Sequence, residues 1–451
     1  MKDANFKSKL IKLVIPIAMQ QLMMAMVSVT DALMMGMLDQ DSLSAVSLAG
    51  QVQFVYSLFL FAATSGVSIL AAQYWGIGDR KSVEKILAIG LKVSVLISLP
   101  FSVSAFVCPQ LLMKSFTSDI VLIEKGSVYL RYVALSYFLL SISQIYLCIM
   151  KNCGKAGKSS LISCVSVVVN IVFNALLIFG IGIFPRMEEA GAALSTVISK
   201  IVELGWAMLV MLKKDSIKIR FREIIKNDKP LKKDFWKYTS PVFGNELAWG
   251  LGFTMYTVIL GHMGSDAAAA NSIANIIKNL AICFCTGIAG TSGVMVGSEL
   301  GKGRLDMAKE YGSKLCRISL IAGIASGIII LCIIPFVPMF SSLTPTAQKY
   351  LKVMLAVSSY YVVGKAMNMT TISGIFSAGG DSRFGFKCDS ITMWLVTVPI
   401  GFITAFILKL PVLTVYICIN IDEVIKLPAV YRHYKKYLWL NNLTEKRETE
   451  N

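Results

Sequence analysis

Apolar residues run along this chain in twelve long stretches separated by short polar gaps. They fall near residues 10–35, 45–73, 88–112, 127–150, 159–184 and 190–212, then near 238–262, 268–297, 315–339, 350–376, 389–408 and 411–430. Most match or exceed the roughly 20 residues an α-helix needs to span the hydrocarbon of a bilayer. They are too long and continuous for the strands of a membrane barrel. With no water there to satisfy a bare backbone, helices are the spanning element. The pattern predicts an all-α polytopic membrane protein with twelve transmembrane helices.

Composition and charge place those helices. Of 451 residues 55% are apolar and 16% charged, against about 25% charged in a soluble domain. With the N-terminus inside, 30 of the 44 lysines and arginines fall on inward-facing segments and five on outward-facing loops. The positive-inside rule then puts both termini in the cytoplasm of a multi-pass plasma (inner) membrane protein. The net charge of +17 comes from these loops, not from a basic face interleaved with aromatics. The expected surroundings are therefore a lipid bilayer and not nucleic acid. Basic Lys2, Lys7, Lys9 and Lys12 precede the first apolar stretch, which runs on without a small-residue cleavage site, so no cleavable signal is expected.

The longest basic loop, Lys213–Lys237, lies near the midpoint, and the two sides of it repeat. An ungapped shift of 225 residues superposes Pro16 on Pro241, Gly36 on Gly261, Asp41 on Asp266 and Gly154 on Gly379. It also carries Gly76 and Gly78 onto Gly301 and Gly303. Proline and glycine identities carry backbone geometry, so they weigh more than matched leucines. The expected domains are a six-helix bundle over 1–212, a basic linker over 213–237, a second bundle over 238–430 and a cytoplasmic tail over 431–451. Six spans per half make this a parallel repeat. Two such bundles, facing each other across a cleft that opens to alternate sides, would make a transporter.

The candidate chemistry is sparse and intramembrane. Asp31 lies mid-span in the first helix, where a carboxylate is costly and by default functional. Its stripe includes Met24 and Met35, soft side chains suited to varied apolar cations, or simply to core packing. Glu246 is the counterpart in the second half, with Trp249, Phe253 and Tyr256 on its face. Aromatic faces and an acid together attract organic cations, although an interfacial aromatic belt would look similar. Asn170 and Asn174, one turn apart in the fifth span, offer amide oxygens to a hard cation or hydrogen bonds to a neighbouring helix. Lys200 and Glu203 are spaced to neutralise one another. Lys278, Lys365 and Arg131 lie in or near spans, as partners of the acids or snorkelling outward.

Several chemistries are excluded. Ten scattered cysteines and the two histidines, His262 and His433, show no zinc or redox spacing. The G-x-G pairs follow membrane helices, not strands, and read as helix stops. There is no phosphate-cradling loop and no clustered constellation for a membrane-embedded enzyme. No enzyme activity and no organic cofactor are expected.

In their order these features resemble the multidrug and toxic compound extrusion (MATE) family over nearly the whole chain. The resemblance rests on Pro16 and Asp31 in the first helix and AAQYWGIGD (Ala71–Asp79) at the second-span exit. It continues through NIVFNALLIFG (Asn170–Gly180), GAALST (Gly191–Thr196) and PVFGNELAWGLG (Pro241–Gly252). AGGDSRF (Ala378–Phe384) and YLWLNNLT (Tyr437–Thr444) complete it. It implies a secondary active antiporter, acting as a monomer, that exports cationic or amphipathic organic compounds in exchange for Na⁺ or H⁺. It also implies a coupling site at Asp31, Asn170, Asn174 and Thr196, with no metal beyond Na⁺ there. Several relatives carry Asp where Asn174 stands, and this departure weakens the case for a Na⁺ cage. Substrate contacts are implied at Glu246, Trp249, Phe253, Tyr256, Met24 and Met35. Asp381 is an accessory acid or a helix cap. The alternative is a lipid-linked precursor flippase of the wider superfamily, whose cleft would carry several arginines where these residues are acidic.

Overall fold

A computed structural model describes residues 2–213, 217, 228–339 and 343–444. Among them every regular element is helical. The first half comprises α1 (Lys2–Gly36), α2 (Gln40–Gly76), α3 (Arg80–Val107), α4 (Ile120–Asn152), α5 (Ala156–Phe179) and α6 (Glu188–Met211). The second comprises α7 (Lys229–His262), α8 (Ser265–Gly301), α9 (Leu305–Ile333), α10 (Pro345–Asn368) and α11 (Ser382–Ile407). Its last span is broken into α12 (Val412–Ile419) and α13 (Asp422–Lys435). The expected twelve-helix fold is present.

Helix ends differ from the apolar stretches in a consistent way. α1 extends back through Lys7, Lys9 and Lys12, and α4 begins at Ile120 rather than 127. Charge ends an apolar stretch, but lysine is a good helix former and does not end the helix. Side-chain caps mark true starts: Asp79 accepts from Ser82 N before α3, Asp119 from Val121 N before α4, and Thr344 from Ala347 N before α10. Most of the Lys213–Lys237 loop, and residues 445–451 of the expected tail, lie outside the described residues.

Nine helices among the described residues are long and apolar enough to cross a membrane. The spans not among them are α7, α10 and the α12–α13 pair, the ones that carry Glu246, Lys365, Asp422, Glu423 and Lys426. These late helices are also irregular. α10 continues as wide i→i+5 turns over Met369–Phe376, and α11 contains two more, over Ile391–Thr397 and Ile403–Ile407. Wide turns of this kind concentrate at functional sites.

The chain forms two compact units. The N-terminal unit is Leu22–Ala71 with Gly78–Phe235, and the C-terminal unit is Met1–Gln21, Ala72–Ile77 and Trp236–Asn451. These do not coincide with the two sequence halves, because the start of α1 and the end of α2 pack with the second half. Gly287 of α8 lies against Ala18, and Phe6 packs on Tyr311 at 5.0 Å between ring centres. At the end of α2, Gln73 Nε2 donates to the Ala378 carbonyl (2.7 Å), and Leu443 N donates back to Gln73 Oε1 (2.8 Å). Gly301 abuts the Gln73 backbone with no room for a Cβ.

The segment from 431 onward is not a loose tail as far as residue 444. α13 runs to Lys435, Trp439 is fully buried against Tyr434, and Leu443 is buried too. Each unit has its own apolar core. That of the N-terminal unit centres on Tyr56, Leu130 and Tyr137, and that of the C-terminal unit on Leu355, Tyr361 and Tyr416.

Candidate functional site

In the N-terminal unit the predicted coupling residues meet. Asn170 and Asn174, four apart on α5, project from one face. α6 comes close because Gly191 lies on the Leu177 backbone, where a Cβ would sit 2.7 Å from its carbonyl carbon. That approach lets Asn170 Nδ2 reach Thr196 Oγ1 at 3.4 Å. Asn174 Nδ2 donates to Asp31 Oδ1 at 2.5 Å and to Asn170 Oδ1 at 3.3 Å. Thr196, Asn170, Asn174 and Asp31 thus form one hydrogen-bonded chain across three helices.

Ser195 was missed by the sequence reading and belongs to the same network. Its hydroxyl donates to Asn174 Oδ1, and it is fully buried. Among the described residues no lysine, arginine or histidine forms an ion pair with Asp31. The acid therefore has an amide donor but no counter-charge. The oxygens that Na⁺ would need are present, but those of Asn170, Asn174 and Thr196 already accept hydrogen bonds. Met24 on the Asp31 helix is 43% exposed, whereas Met35 is fully buried against Ile178 and Ala192. Met35 is thus core and not a contact surface. Lys200 and Glu203 do pair, at 2.9 Å, with Ser143 Oγ also donating to Glu203 at 2.6 Å.

In the C-terminal unit the Glu246 stripe is less free than its sequence suggested. Trp249 and Phe253 stack with ring centres 5.6 Å apart. Their faces are taken by the protein's own cations, Lys365 Nζ 4.4 Å from the Trp249 ring centre and Lys278 Nζ 6.0 Å from that of Phe253. Lys278 also lies 4.6 Å over Tyr361. Tyr256 is buried, with its hydroxyl 2.6 Å from Thr397 Oγ1. Glu246 lies within the electrostatic field of Lys365 and Asp389.

Beside this stripe lies a buried ion cluster that the sequence reading did not find. Lys426 Nζ approaches Asp389 at 2.8 Å, Glu423 at 3.2 Å and Asp422 at 3.8 Å. Lys365 pairs with Glu423 at 3.4 Å, and Asn368 Nδ2 donates to the Glu423 carboxylate at 2.7 Å. The available signal was Asp422, Glu423 and Lys426 lying within the last predicted span. Asp381 stands apart from both groups. It occupies the cap position of α11 without a capping hydrogen bond. Its carboxylate instead pairs with His433 Nε2 (2.5 Å), whose ring stacks on Phe384.

Comparison with known proteins bears on the family and the fold. The family model MatE matches the chain twice, over residues 16–176 and 241–403. The uncharacterized transporter YisQ of Bacillus subtilis is 23% identical over 98% of this chain and 99% of its own length. The probable multidrug resistance protein NorM of Thermotoga maritima is 23% identical over 94% of this chain and 90% of its own. Among solved structures, an outward-facing multidrug resistance MATE family transporter of the MOP superfamily superposes with a TM-score of 0.87. It is 17% identical and covers 96% of this chain and 95% of that one. A MOP superfamily transporter from Pyrococcus furiosus, described as having a binding pocket of reverse polarity, superposes at 0.86 with 18% identity and the same coverage. At these identities the structural likeness is one of fold.

Proposed function

The chain belongs to the MatE family of transporters, and from that premise we propose that it is a secondary active antiporter. It is a multi-pass membrane transporter and not an enzyme. In our reading it exports cationic or amphipathic organic compounds across the plasma (inner) membrane in exchange for a cation, as a monomer with both termini cytoplasmic. NorM and other relatives described as multidrug resistance proteins support a drug-like substrate class. Substrate contacts are proposed at Glu246, Trp249 and Phe253 in the C-terminal unit and, separately, at Met24 in the N-terminal unit; buried Tyr256 would support the stripe from behind.

The observation that carries the coupling reading is Asp31, an acid inside a predicted span with no ionic partner among the described residues. Such a group must be neutralised by something that comes and goes. Because three neighbouring oxygens, on Asn170, Asn174 and Thr196, already accept hydrogen bonds, H⁺ suits this network better than Na⁺. A proton needs only the carboxylate, whereas Na⁺ would have to displace amide donors. Neutralisation moves the transport equilibrium only by the difference in how the two states hold Asp31.

Asp31→Asn fixes the neutral form at constant size. It is expected to bind a fluorescent cationic dye like the wild type and to lose efflux driven by either a pH or a Na⁺ gradient in proteoliposomes. Retained gradient-driven efflux in a folded Asp31→Asn protein would refute the coupling role. In the wild type, efflux under a pH gradient alone identifies H⁺ as the coupling ion.

A further inference from the structure

We propose that Asp422 is an exchangeable-proton site of the C-terminal unit, loaded and emptied separately from the Asp31 network. The first support is charge. Glu246, Asp389, Asp422 and Glu423 supply four carboxylates to the cluster, and Lys278, Lys365 and Lys426 supply three ammonium groups. Fully ionised, it carries one negative charge in excess, buried among the helices of the C-terminal unit.

The second support is where the donors go. Asp389 takes the shortest contact of Lys426, and Glu423 takes Lys365, the Asn368 amide and a second contact of Lys426. Asp422 is 1% exposed, and among the described residues no side-chain donor lies within hydrogen-bond distance of either carboxylate oxygen: Lys426 stands off at 3.8 Å, and the Glu423 backbone amide is the one other donor beside it. Asn368 donates into the cluster while its own buried Oδ1 has no partner. Both unsatisfied groups are acceptors, so the cluster lacks a donor. One proton on Asp422 supplies both shortages: it cancels the excess charge and turns a carboxylate oxygen into an O–H donor. Leaving such a group bare and buried forfeits the hydrogen bonds that water would give it in the unfolded chain.

The surroundings favour a proton over a metal ion. Among the described residues no three or more carboxylate, cysteine or histidine groups are placed to hold a metal. On its own helix Asp422 faces Glu423 and Lys426. From α10 it faces Lys365, Tyr360 and Tyr361, from α8 Lys278, and from α7 Tyr256. Lys426 holds Asp389 and Glu423 at shorter range than Asp422, so protonating Asp422 leaves both closer pairs intact. The backbone is broken here as well. Asp422 opens α13 just after the break at Asn420–Ile421, Asn368 immediately precedes one wide turn, and Asp389 lies two residues before Ile391, where the next one starts. Discontinuous spans are where transporters place their ion sites.

The inference does not depend on the role given to Asp31. The test is infrared difference spectroscopy on the purified protein in lipid, cycled between mildly alkaline and mildly acidic buffer. Because Asp31 would give a band of its own, the comparison is made in the Asp31→Asn background: there a protonated-carboxyl C=O band is expected to grow on acidification, and to be lost when Asp422→Asn is added. Asn matches the neutral form in size, so that variant should fold. Asp422→Glu serves as the second probe and should keep the band with a shifted titration midpoint. Persistence of the full band when Asp422→Asn is added, or an unshifted midpoint with Asp422→Glu in that background, overturns the proposal. So does loss of the band in Asp31→Asn when Na⁺ replaces K⁺ at fixed pH, since a metal ion would then be the occupant.

Discussion

Changing one amide to a carboxylate tests why the proposed coupling network around Asp31 would favour H⁺. Asn174 Nδ2 lies 2.5 Å from Asp31 Oδ1 and 3.3 Å from Asn170 Oδ1. Asn174→Asp replaces that donor with an oxygen. Ser195 can go on donating to the retained oxygen, whereas Asn170 Oδ1 loses its donor and is freed as a ligand. Two carboxylates would then face each other. Unit charges 4 Å apart repel by about 4 kcal/mol at an effective dielectric of about 20, and here the separation is no larger. A monovalent cation between them removes that repulsion. At about 1.4 kcal/mol per tenfold change, the gain is roughly a thousandfold in cation affinity.

Both carboxylates, Asn170 Oδ1 and Thr196 Oγ1 together make a set of hard oxygens suited to Na⁺. The assay is the melting temperature of the purified protein in NaCl against KCl at equal ionic strength, in alkaline buffer where protons compete least. Wild type should melt equally in both salts. Asn174→Asp should be stabilised by NaCl, because a ligand that binds only the folded state raises its stability. A folded Asn174→Asp protein that melts alike in the two salts would refute the reasoning. So would a wild type that already responds to Na⁺ as strongly.

Two further outcomes concern the C-terminal unit. Lys426→Met leaves Asp389, Glu423 and Asp422 without their shared ammonium and should destabilise the protein by about 3–5 kcal/mol. A thiol-reactive dye reporting exposure of buried Cys283, Cys285 and Cys388 on heating reads this out; an unshifted melt would mean the cluster is not held together by Lys426. Glu246→Gln should reduce efflux of a cationic dye more than that of a neutral analogue of similar size, and equal losses would assign Glu246 a structural or coupling role.

The spans and the repeat were legible because they depend on runs of apolar residues and on prolines and glycines with strict backbone consequences. Pro16 and Pro241 do fall inside equivalent helices. The Asp31 network was legible through its amides at i and i+4, and through the resemblance that pointed to Thr196. Ser195 was not, because serine is commonplace on small-residue helix faces and only the close approach of α6 makes it a partner. Lysines were harder still. Lys365 and Lys278 could snorkel or pair, and only the fold lays them over Trp249, Phe253 and Tyr361. The acids of α13 sit next to a basic C-terminal run, and sequence alone does not separate a buried cluster from an interfacial one. Wide turns leave no mark in composition at all.

Those wide turns also mark where the two halves differ in length. The caps of α4 and α10, Asp119 and Thr344, are 225 residues apart, yet the left-handed glycines just past the two helices, Gly154 and Gly380, are 226 apart. One extra residue lies between, and α10 is the member of the pair with a widened stretch, over Met369–Phe376. The two family matches likewise begin 225 residues apart and end 227 apart, and α11 has widened turns of its own. A residue inserted into a helix would rotate the remainder of that helix by about 100° unless a wide turn absorbs it. The two halves thus differ in length by a residue or two over the helices that bear Asn368 and Asp389, and the wide turns lie in the longer member of each pair. At the shifted register Asn170 and Asn174 correspond to Val396 and Ile400. From the starts of α6 and α12, Asp422, Glu423 and Lys426 correspond to Ile198, Ser199 and Val202. Two halves with a common scaffold thus carry different ionic chemistries.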